Sequence, residues 1–325
     1  MIQQEIEKQQ QRKAQYQNLQ KQLEETGETQ ISTSDTESRQ MIIRNNITEV
    51  AYNVQTTVDA KYNIPIDYKV SNNNDSKAMG DMVRRAKSIL RTNKFTALYD
   101  KGYHTGSEFK TAEDLEIDVM VAIPTVAANA PDHKYNVENF TYNITKDTYT
   151  CPMGETMTTN KRWHQAKTYH FKRYTSKACK TCSVKAECSK AICGKAIQRS
   201  EFQEQVDNNK RRINQNKELY RRRQAIVEHP YGTIKRQWGF SYIITKQGKA
   251  RASADVGFMF IAYNLRRLIN ILGKEGIKAY LKALSVHILA FISHLSAKSS
   301  VKMHHQKISG MSHQFLFYFQ KTAYI

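Results

Sequence analysis

Residues 50–123 switch repeatedly between two hydrophobic periods, and this switching constrains the fold more than any other feature of the chain. Residues 50–58 alternate and are rich in β-branched side chains, which predicts a strand, and residues 64–70 predict a second strand after a turn. Residues 77–91 repeat apolar side chains at helical spacing and predict a helix. A strand, a helix and a strand are then predicted at 95–99, about 107–115 and 119–123. The order strand, strand, helix, strand, helix, strand predicts a mixed α/β sheet.

The chain divides into five segments by composition and period. They are an N-terminal helix and polar linker (1–40), the first part of the core (41–123), an inserted Cys-rich subdomain (124–215), the second part of the core (216–273), and a C-terminal helix and tail (274–325). The inserted subdomain is predicted because its runs are short, polar and dotted with aromatic residues, and because it holds all five cysteines.

Helical spacing predicts three further helices. Residues 2–25 predict an exposed helix with a thin apolar stripe, and residues 220–238 predict a basic helix. Residues 252–272 are dense in apolar side chains, so we expect this helix to pack on the sheet. The tail after Ser296 carries an aromatic run at 315–319, for which disorder and a terminal strand are both open.

The charge of the chain favours a nucleic-acid partner. Fifty Lys and Arg against thirty Asp and Glu leave a net charge of +20, which attracts phosphate backbones but also suits membrane surfaces or ribosomal partners. An acidic protein partner or a purely metabolic role is disfavoured. The start lacks an apolar signal region, and the apolar stretch 280–295 is shorter than the roughly 20 residues of a membrane span. With an odd number of cysteines, we expect a cytoplasmic protein with no membrane partner.

Two acidic residues stand at informative places. Asp100 follows the predicted strand 95–99, and Glu228 lies on one face of the predicted basic helix. Carboxylates at a strand end and on a facing helix could hold a divalent metal beside a phosphodiester. The alternative is structural, with a turn aspartate and a solvated helix glutamate.

The cysteines suggest a second metal site. Cys179 and Cys182 form a C-x-x-C turn, which places two thiolates for one tetrahedral zinc, and Cys188 or Cys193 could complete it. Cys151 lies further back in the chain. The predicted set for a structural Zn²⁺ is therefore Cys179, Cys182, Cys188 and Cys193. Free cytosolic thiols or a redox pair are the alternatives.

Five short segments, taken together, resemble a known family. They are NVQTTVD (53–59), DKGY (100–103), CPMG (151–154), EHPYGTIK (228–235) and AYNLRRL (262–268). Over roughly residues 30 to 272 the chain resembles the bacterial insertion-sequence DDE transposases of the insertion sequence four type. The resemblance implies an RNase H-like core and a cut-and-join reaction on DNA. It also implies Mg²⁺ or Mn²⁺ as cofactor, because three carboxylates in such enzymes hold two ions about 4 Å apart across the scissile phosphate.

The resemblance also implies roles for individual residues. The second acid of the triad falls on Asp100 and the third on Glu228. Lys235 follows Glu228 by seven residues, two helical turns on the same face, and could clamp a terminal phosphate.

Basic residues before the glutamate carry a further part of the resemblance. Tyr220 with Arg222 or Arg223 resembles the family's Tyr and Arg pair, and the choice between the arginines stays open because the spacing is one residue longer here. For these residues and Lys235, a solvated basic helix face is the alternative.

The first acid of the triad departs from the family pattern. There it lies on the first core strand, upstream of the N-terminal helix, and this chain begins inside that helix. The nearest substitutes are Asp35, Asp59, Asp67 and Asp75, of which Asp59 and Asp75 are interpreted as turn and loop residues held for backbone reasons. We interpret the chain as the C-terminal portion of a truncated or frameshifted transposase. Because the first strand lies between the second and fourth in an RNase H-like sheet, those two strands would keep unpaired facing edges.

Three functions follow from these observations. The leading hypothesis is a DDE transposase that binds transposon ends and target DNA but is catalytically impaired. The alternative is a non-catalytic, zinc-containing DNA-binding or regulatory protein, and the third is a basic structural protein. A homodimer is left open.

Overall fold

The computed structural model describes residues 2–42, 47–124, 130–241 and 247–304, with side chains described up to residue 290 and at 293. The aromatic run at 315–319 lies outside the described residues. The chain forms two compact units, residues 1–264 and residues 265–325, and each is described by itself.

The first unit has the predicted mixed α/β order. Its first elements are helix α1 (Ile2–Thr26), strands β1 (Arg39–Ile42), β2 (Thr48–Ala51), β3 (Asn53–Val58) and β4 (Pro65–Ser71), helix α2 (Met79–Leu90), strand β5 (Thr96–Tyr99), helix α3 (Gly106–Asp114) and strand β6 (Asp118–Val121). The strand predicted at 50–58 is two strands, separated at Tyr52, and β2 pairs with β1, which the sequence did not predict.

Helices α2 and α3 pack on the parallel pair β5–β6. Their apolar stripes and the inward face of β6 form one buried cluster, because helical and strand periods place these side chains on a common side. Its members include Met79, Val83, Phe109, Ala112, Val119 and Val121. Helix α2 ends at Leu90, and the following residue, Arg91, adopts a left-handed conformation with φ 53°.

A second cluster covers the antiparallel hairpin β3–β4. Helix α7 (Lys249–His304, interrupted at Gly273, φ 71°) begins with Ala252, Val256 and Phe260 buried against Val70 of β4. The expectation that the start of this apolar helix packs on sheet residues is therefore confirmed within the first unit.

The two strand pairs of this core are separate. Strand β3 is hydrogen-bonded to β4, and β5 to β6, and within the described ranges no strand bridges β3 and β5. Each of these two strands therefore keeps one edge that pairs with no described strand.

An antiparallel sheet follows between residues 141 and 200. Its strands are β7 (Thr141–Asn143), β8 (Thr148–Thr150), β9 (Thr156–Gln165), β10 (His170–Thr175) and β11 (Ala196–Ser200), in the order β11-β10-β9-β8-β7. The sheet has its own core, formed by Phe140, Tyr149, Met157, Tyr174 and Ile197. A one-turn helix, α4 (Lys185–Cys188), lies in the connection between β10 and β11.

Asp147, in the turn between β7 and β8, is hydrogen-bonded to side chains of β7 and β10. Its carboxylate accepts hydrogen bonds from the hydroxyls of Tyr142 and Tyr174 and from Lys172 Nζ. Burial raises the pKa of Asp147, but the hydrogen bonds from Lys172, Tyr174 and Tyr142 outweigh it and hold the pKa at about 2.

Helix α5 (Gln203–Gln215) closes the outer edge of β6 with side chains. The fully buried Asn209 accepts a bond from Val121 N and donates one to Val121 O, both at 2.8 Å. Arg212 Nε donates to Val119 O at 3.1 Å. An amide and a guanidinium thus supply the partners that a further strand would otherwise supply.

The predicted basic helix at 220–238 is shorter than expected. Helix α6 spans Lys217–Tyr231 and is followed by a π-helical segment, Gly232–Gln237. The change of helical pitch follows Pro230, which has no N–H to donate to the turn before it.

The second unit, residues 265–325, is described as helix as far as His304. It exposes apolar side chains, among them Leu265, Leu272, Leu281, Ile288 and Leu289. In the described part of the chain, no helix combines the length and apolar character needed to cross a bilayer.

Candidate metal and DNA site

Asp100 lies where the structure brings the end of β5 into a tight turn. Its backbone is extended, and its Oδ1 accepts a hydrogen bond from Gly102 N at 2.8 Å. Part of the carboxylate is thereby held by the turn, as the structural alternative requires. Its place at the strand end is the one that the sequence predicted.

Asp75 lies beside Asp100. A Cβ on Gly102 would lie 3.1 Å from Asp100 Oδ1 and 3.2 Å from Asp75 Oδ2, so oxygens of both carboxylates flank a single point above this glycine. Asp75 was interpreted as a loop residue held for backbone reasons, but it begins a short 3₁₀ turn, Asp75–Lys77, and its side chain pairs with side chains of β3. Its Oδ1 accepts from Asn53 Nδ2 at 2.6 Å and from Gln55 Nε2 at 2.7 Å.

Two amides of β3 therefore orient Asp75, and a tyrosine fixes one of these amides. Gln55 is buried, and its Oε1 accepts a hydrogen bond from the Tyr103 hydroxyl. Burial, and then the charges of Asp75 and Asp100, raise the pKa of Tyr103 above its usual range. Tyr103 is thus a protonated donor, and it links β3 to the turn after β5 across the open edge between them.

The other three aspartates proposed as substitutes have structural roles. Asp59 Oδ2 accepts from Tyr62 N at 2.6 Å in the β3–β4 turn, as expected for a turn aspartate. Asp67 forms a two-point ion pair with Arg85 at 2.6 and 2.7 Å. Asp35 accepts from the Tyr52 hydroxyl at 2.6 Å.

Helix α6 contacts both strand pairs of the core, β3–β4 and β5–β6, which are not hydrogen-bonded to each other. Near its start, the Tyr220 hydroxyl donates to Tyr99 O at 2.8 Å, immediately before Asp100. At its end, the Tyr231 hydroxyl lies 2.6 Å from Thr56 Oγ1 on β3. Burial raises the pKa of Tyr231. The helix is thus hydrogen-bonded to both β5 and β3.

Glu228 lies between these two anchors. It follows Tyr220 by eight residues and precedes Tyr231 by three, which places it roughly 60–80° around the helix from both tyrosines, so it flanks the face that turns toward the strands. Its side chain is exposed, and Oε1 accepts from Gln224 Nε2 at 2.7 Å. Among the residues that the structure describes, no three His, Cys, Asp or Glu side chains gather as a metal-holding group. Asp75 and Asp100 come together, and Glu228 is not gathered with them.

The structure distinguishes the two candidate arginines. Arg223 lies over the ring of Tyr220, 5.8 Å from its centroid, whereas Arg222 is exposed. Lys235 belongs to the π-helical segment, and its Nζ is 5.0 Å from the ring centroid of Tyr231. Because this segment is π-helical, Lys235 does not lie two α-helical turns from Glu228, and the prediction that the two residues share one helix face is wrong.

The cysteines are arranged differently from the predicted zinc set. Cys179, Cys182 and Cys188 line one cavity together with Cys151, whereas Cys193 is exposed. Burial raises the pKa values of the Cys179 and Cys188 thiols, and the neighbouring thiols raise them further. The zinc assignment itself stays a prediction.

A basic arm was missed by the sequence reading. Strands β9 and β10 are joined at residues 166–169, and the exposed end of this ribbon carries Lys161, Arg162 and Trp163. Residues 156–175 contain five Lys or Arg and no Asp or Glu. Basic and aromatic side chains that are interspersed without acidic ones are a sequence pattern that could have predicted this arm.

Comparison with known proteins finds a family similarity over part of the chain. Neither the curated proteins nor the solved structures contain a chain that matches. Residues 150–269 match the family described as "Transposase DDE domain". The matched stretch includes the Cys-lined cavity from Cys151 onward, Tyr220, Glu228 and Lys235, and it begins after Asp75 and Asp100. The mixed α/β architecture is consistent with a DDE nuclease fold, and the match supports a transposase function.

Proposed function

We propose that this chain acts in DNA transposition as a DDE-type enzyme core that cleaves and joins DNA with divalent metal. The observation that carries the proposal is the convergence of Asp75 and Asp100 beside Gly102. They meet at a strand end next to α6, and α6 belongs to the stretch that matches the transposase domain.

The donors at this place suit a hard divalent cation. Carboxylate oxygens are the ligands that Mg²⁺ and Mn²⁺ prefer. Asp75 Oδ1 is taken by the amides of Asn53 and Gln55, which leaves Oδ2 turned toward Asp100. Asp75 and Asp100 would hold the ion, with Glu228 as the third acid on α6. The ion would supply charge neutralisation at the scissile phosphate and activate the attacking oxygen.

The chain's own residues position these acids. Tyr103 and Gln55 hold Asp75 by hydrogen bonds across the gap, and Gly102 leaves room between the carboxylates. Tyr220 ties the start of α6 to the end of β5. Preorganised carboxylates lower the cost of binding a cation because they need not be reoriented when it arrives.

We further infer that the core is completed by one more acidic strand. Strands β3 and β5 keep separate partners, and such edges offer unpaired N–H and C=O groups to a further strand. A strand between them would be bordered by the turns that hold Asp75 and Asp100. By itself, the described core binds DNA and metal but transfers strands poorly.

Two basic surfaces would hold the DNA. Helix α6 exposes Arg221 and Arg222, and the β9–β10 arm exposes Lys161, Arg162 and Trp163. Contacts of this kind go to phosphates and carry little sequence information, whereas an exposed Trp ring suits stacking on unpaired bases. A homodimer stays a prediction.

A second candidate function is DNA binding without cleavage, in a regulatory role. The gap between the strand pairs and the exposure of Glu228 favour it. The enzymatic function requires metal binding that depends on Asp100, whereas DNA binding without cleavage does not.

The experiment measures binding and strand transfer on duplexes copied from the DNA that flanks the coding sequence. We expect Mn²⁺ to raise the DNA affinity of the wild-type chain but not of Asp100→Asn, since the ion bridges carboxylate and phosphate. Strand transfer should stay at background for the chain alone. An equal effect of Mn²⁺ on both proteins would refute the enzymatic site. Strand transfer that disappears in Asp100→Asn would instead refute the need for a further strand.

A further inference from the structure

Four of the five cysteines line one small cavity. Cys151 follows β8, Cys179 and Cys182 lie on the turn after β10, and Cys188 ends helix α4. The cavity measures about 30 Å³. A space of that size accepts a single ion or water and excludes an organic ligand.

A buried lysine points to an anionic centre in this cavity. Lys195 lines it, is 6% exposed, and its Nζ is buried without a hydrogen-bond partner. The ring of Phe140, 5.9 Å away, is its nearest cation–π contact. A buried ammonium without a partner is strongly unfavourable, so the cavity calls for negative charge.

We propose that Cys151, Cys179, Cys182 and Cys188 bind one Zn²⁺ as four thiolates, with Lys195 donating a hydrogen bond to a thiolate sulfur. Cys151 is a ligand in this set, and Cys193, which the sequence analysis predicted as a ligand, is not. This site does not depend on the proposed function of the chain.

The side chains as placed are not yet a ligating group, since the described residues hold no gathered set of three or more such donors. A cysteine has a single side-chain torsion with three staggered positions, so a change of rotamer moves each sulfur within the cavity that the four thiols share, and the proposal requires such a change. Each thiol loses its proton to solvent as its sulfur binds the metal. The resulting centre carries negative charge, which Lys195 partly neutralises.

The site has a structural consequence. Its ligands come from three places in the chain, the end of β8, the β10–α4 connection and α4 itself. Gly194 also packs on Cys179, since a Cβ there would lie 2.5 Å from Cys179 Cβ. A metal would therefore tie the connection between β10 and β11 to the end of β8.

The test uses the purified full chain and its single-cysteine variants. We expect about one zinc per chain by elemental mass spectrometry, and a tetrahedral four-thiolate absorption spectrum after replacement by Co²⁺. Cys151→Ser should lose both, whereas Cys193→Ser, the matched control, should keep both. Lys195→Met should weaken zinc affinity by about tenfold, as expected for a partner of a ligand rather than a ligand.

A second measurement guards against misfolding of the variants. In the wild-type chain, a thiol reagent should modify Cys193 at once and the other four cysteines only after a zinc chelator is added. Wild-type protein without stoichiometric zinc would overturn the proposal. So would loss of zinc in Cys193→Ser equal to that in Cys151→Ser, or four thiols that react before chelation.

Discussion

Replacing Asn209 with Ala tests whether a helix side chain serves as the missing neighbour of β6. The substitution removes the two 2.8 Å hydrogen bonds to Val121 and leaves its N–H and C=O without those partners in a buried position. Each buried unsatisfied group costs about 1–3 kcal/mol. Alanine regains about 0.5 kcal/mol of helix propensity over asparagine. We therefore expect a net loss of roughly 3 kcal/mol, or about 6 °C in Tm for a unit of this size.

Asn214→Ala is the matched control, because Asn214 lies in the same helix and is exposed. It carries the propensity gain without loss of the two bonds, so it should be neutral or slightly stabilising. Asn209→Asp should also destabilise, since a carboxylate can accept from Val121 N but cannot donate to Val121 O. Urea unfolding of the three variants gives the comparison. Equal midpoints for Asn209→Ala and Asn214→Ala would show that the buried amide does not hold the edge.

Two further predictions concern acid stability and DNA binding. The pKa of Asp147, about 2 when folded against 3.8 unperturbed, means that its hydrogen bonds stabilise the fold above about pH 4 and are lost as pH falls toward 2. Asp147→Asn should thus be less stable than wild type at pH 7, with urea midpoints that converge between pH 4 and 2; a constant difference would contradict this. Replacing Lys161 and Arg162 with Ala should reduce the slope of log affinity against log salt by about 1.8 in anisotropy titrations. The same charge change at Lys8 and Arg12 on α1 should leave the slope nearly unchanged, and equal slopes for both variants would remove the arm from the DNA surface.

Periodicity was sufficient for the order of the core elements because each has one apolar face. The helix at Met79–Leu90 buries Met79, Met82, Val83 and Ala86, which is the spacing visible in the sequence. Strand β1 was missed because its four residues, Arg39–Ile42, show no apolar–polar alternation in the sequence, although their burial alternates between partly buried and exposed. The short strands of the second sheet gave the same difficulty, since three-residue strands are too short to show a period.

The candidate site was predicted in part, and the reasons for the errors differ. The position of Asp100 at a strand end was predicted from the strand before it, whereas the side-chain partners of Asp75 were not predicted because they lie on β3, about 20 residues away in the chain. Asn209 carried no signal at all, since a buried amide that pairs with backbone looks like any helix-surface asparagine. The sequence shows that the cysteines are clustered. Only the folded structure shows that Cys151 lines the cavity and that Cys193 is exposed.

We propose above that Asp75 and Asp100 together hold a divalent cation at the end of β5. Mn²⁺ titration followed by electron paramagnetic resonance tests it directly, with Asp59→Asn as the control that keeps its turn hydrogen bond. Because cation affinity depends on the number of charged ligands, Asp75→Asn and Asp100→Asn should each weaken Mn²⁺ binding by at least about tenfold. Asp59→Asn should bind Mn²⁺ like the wild-type chain. Wild-type affinity in both Asp75→Asn and Asp100→Asn would contradict the account.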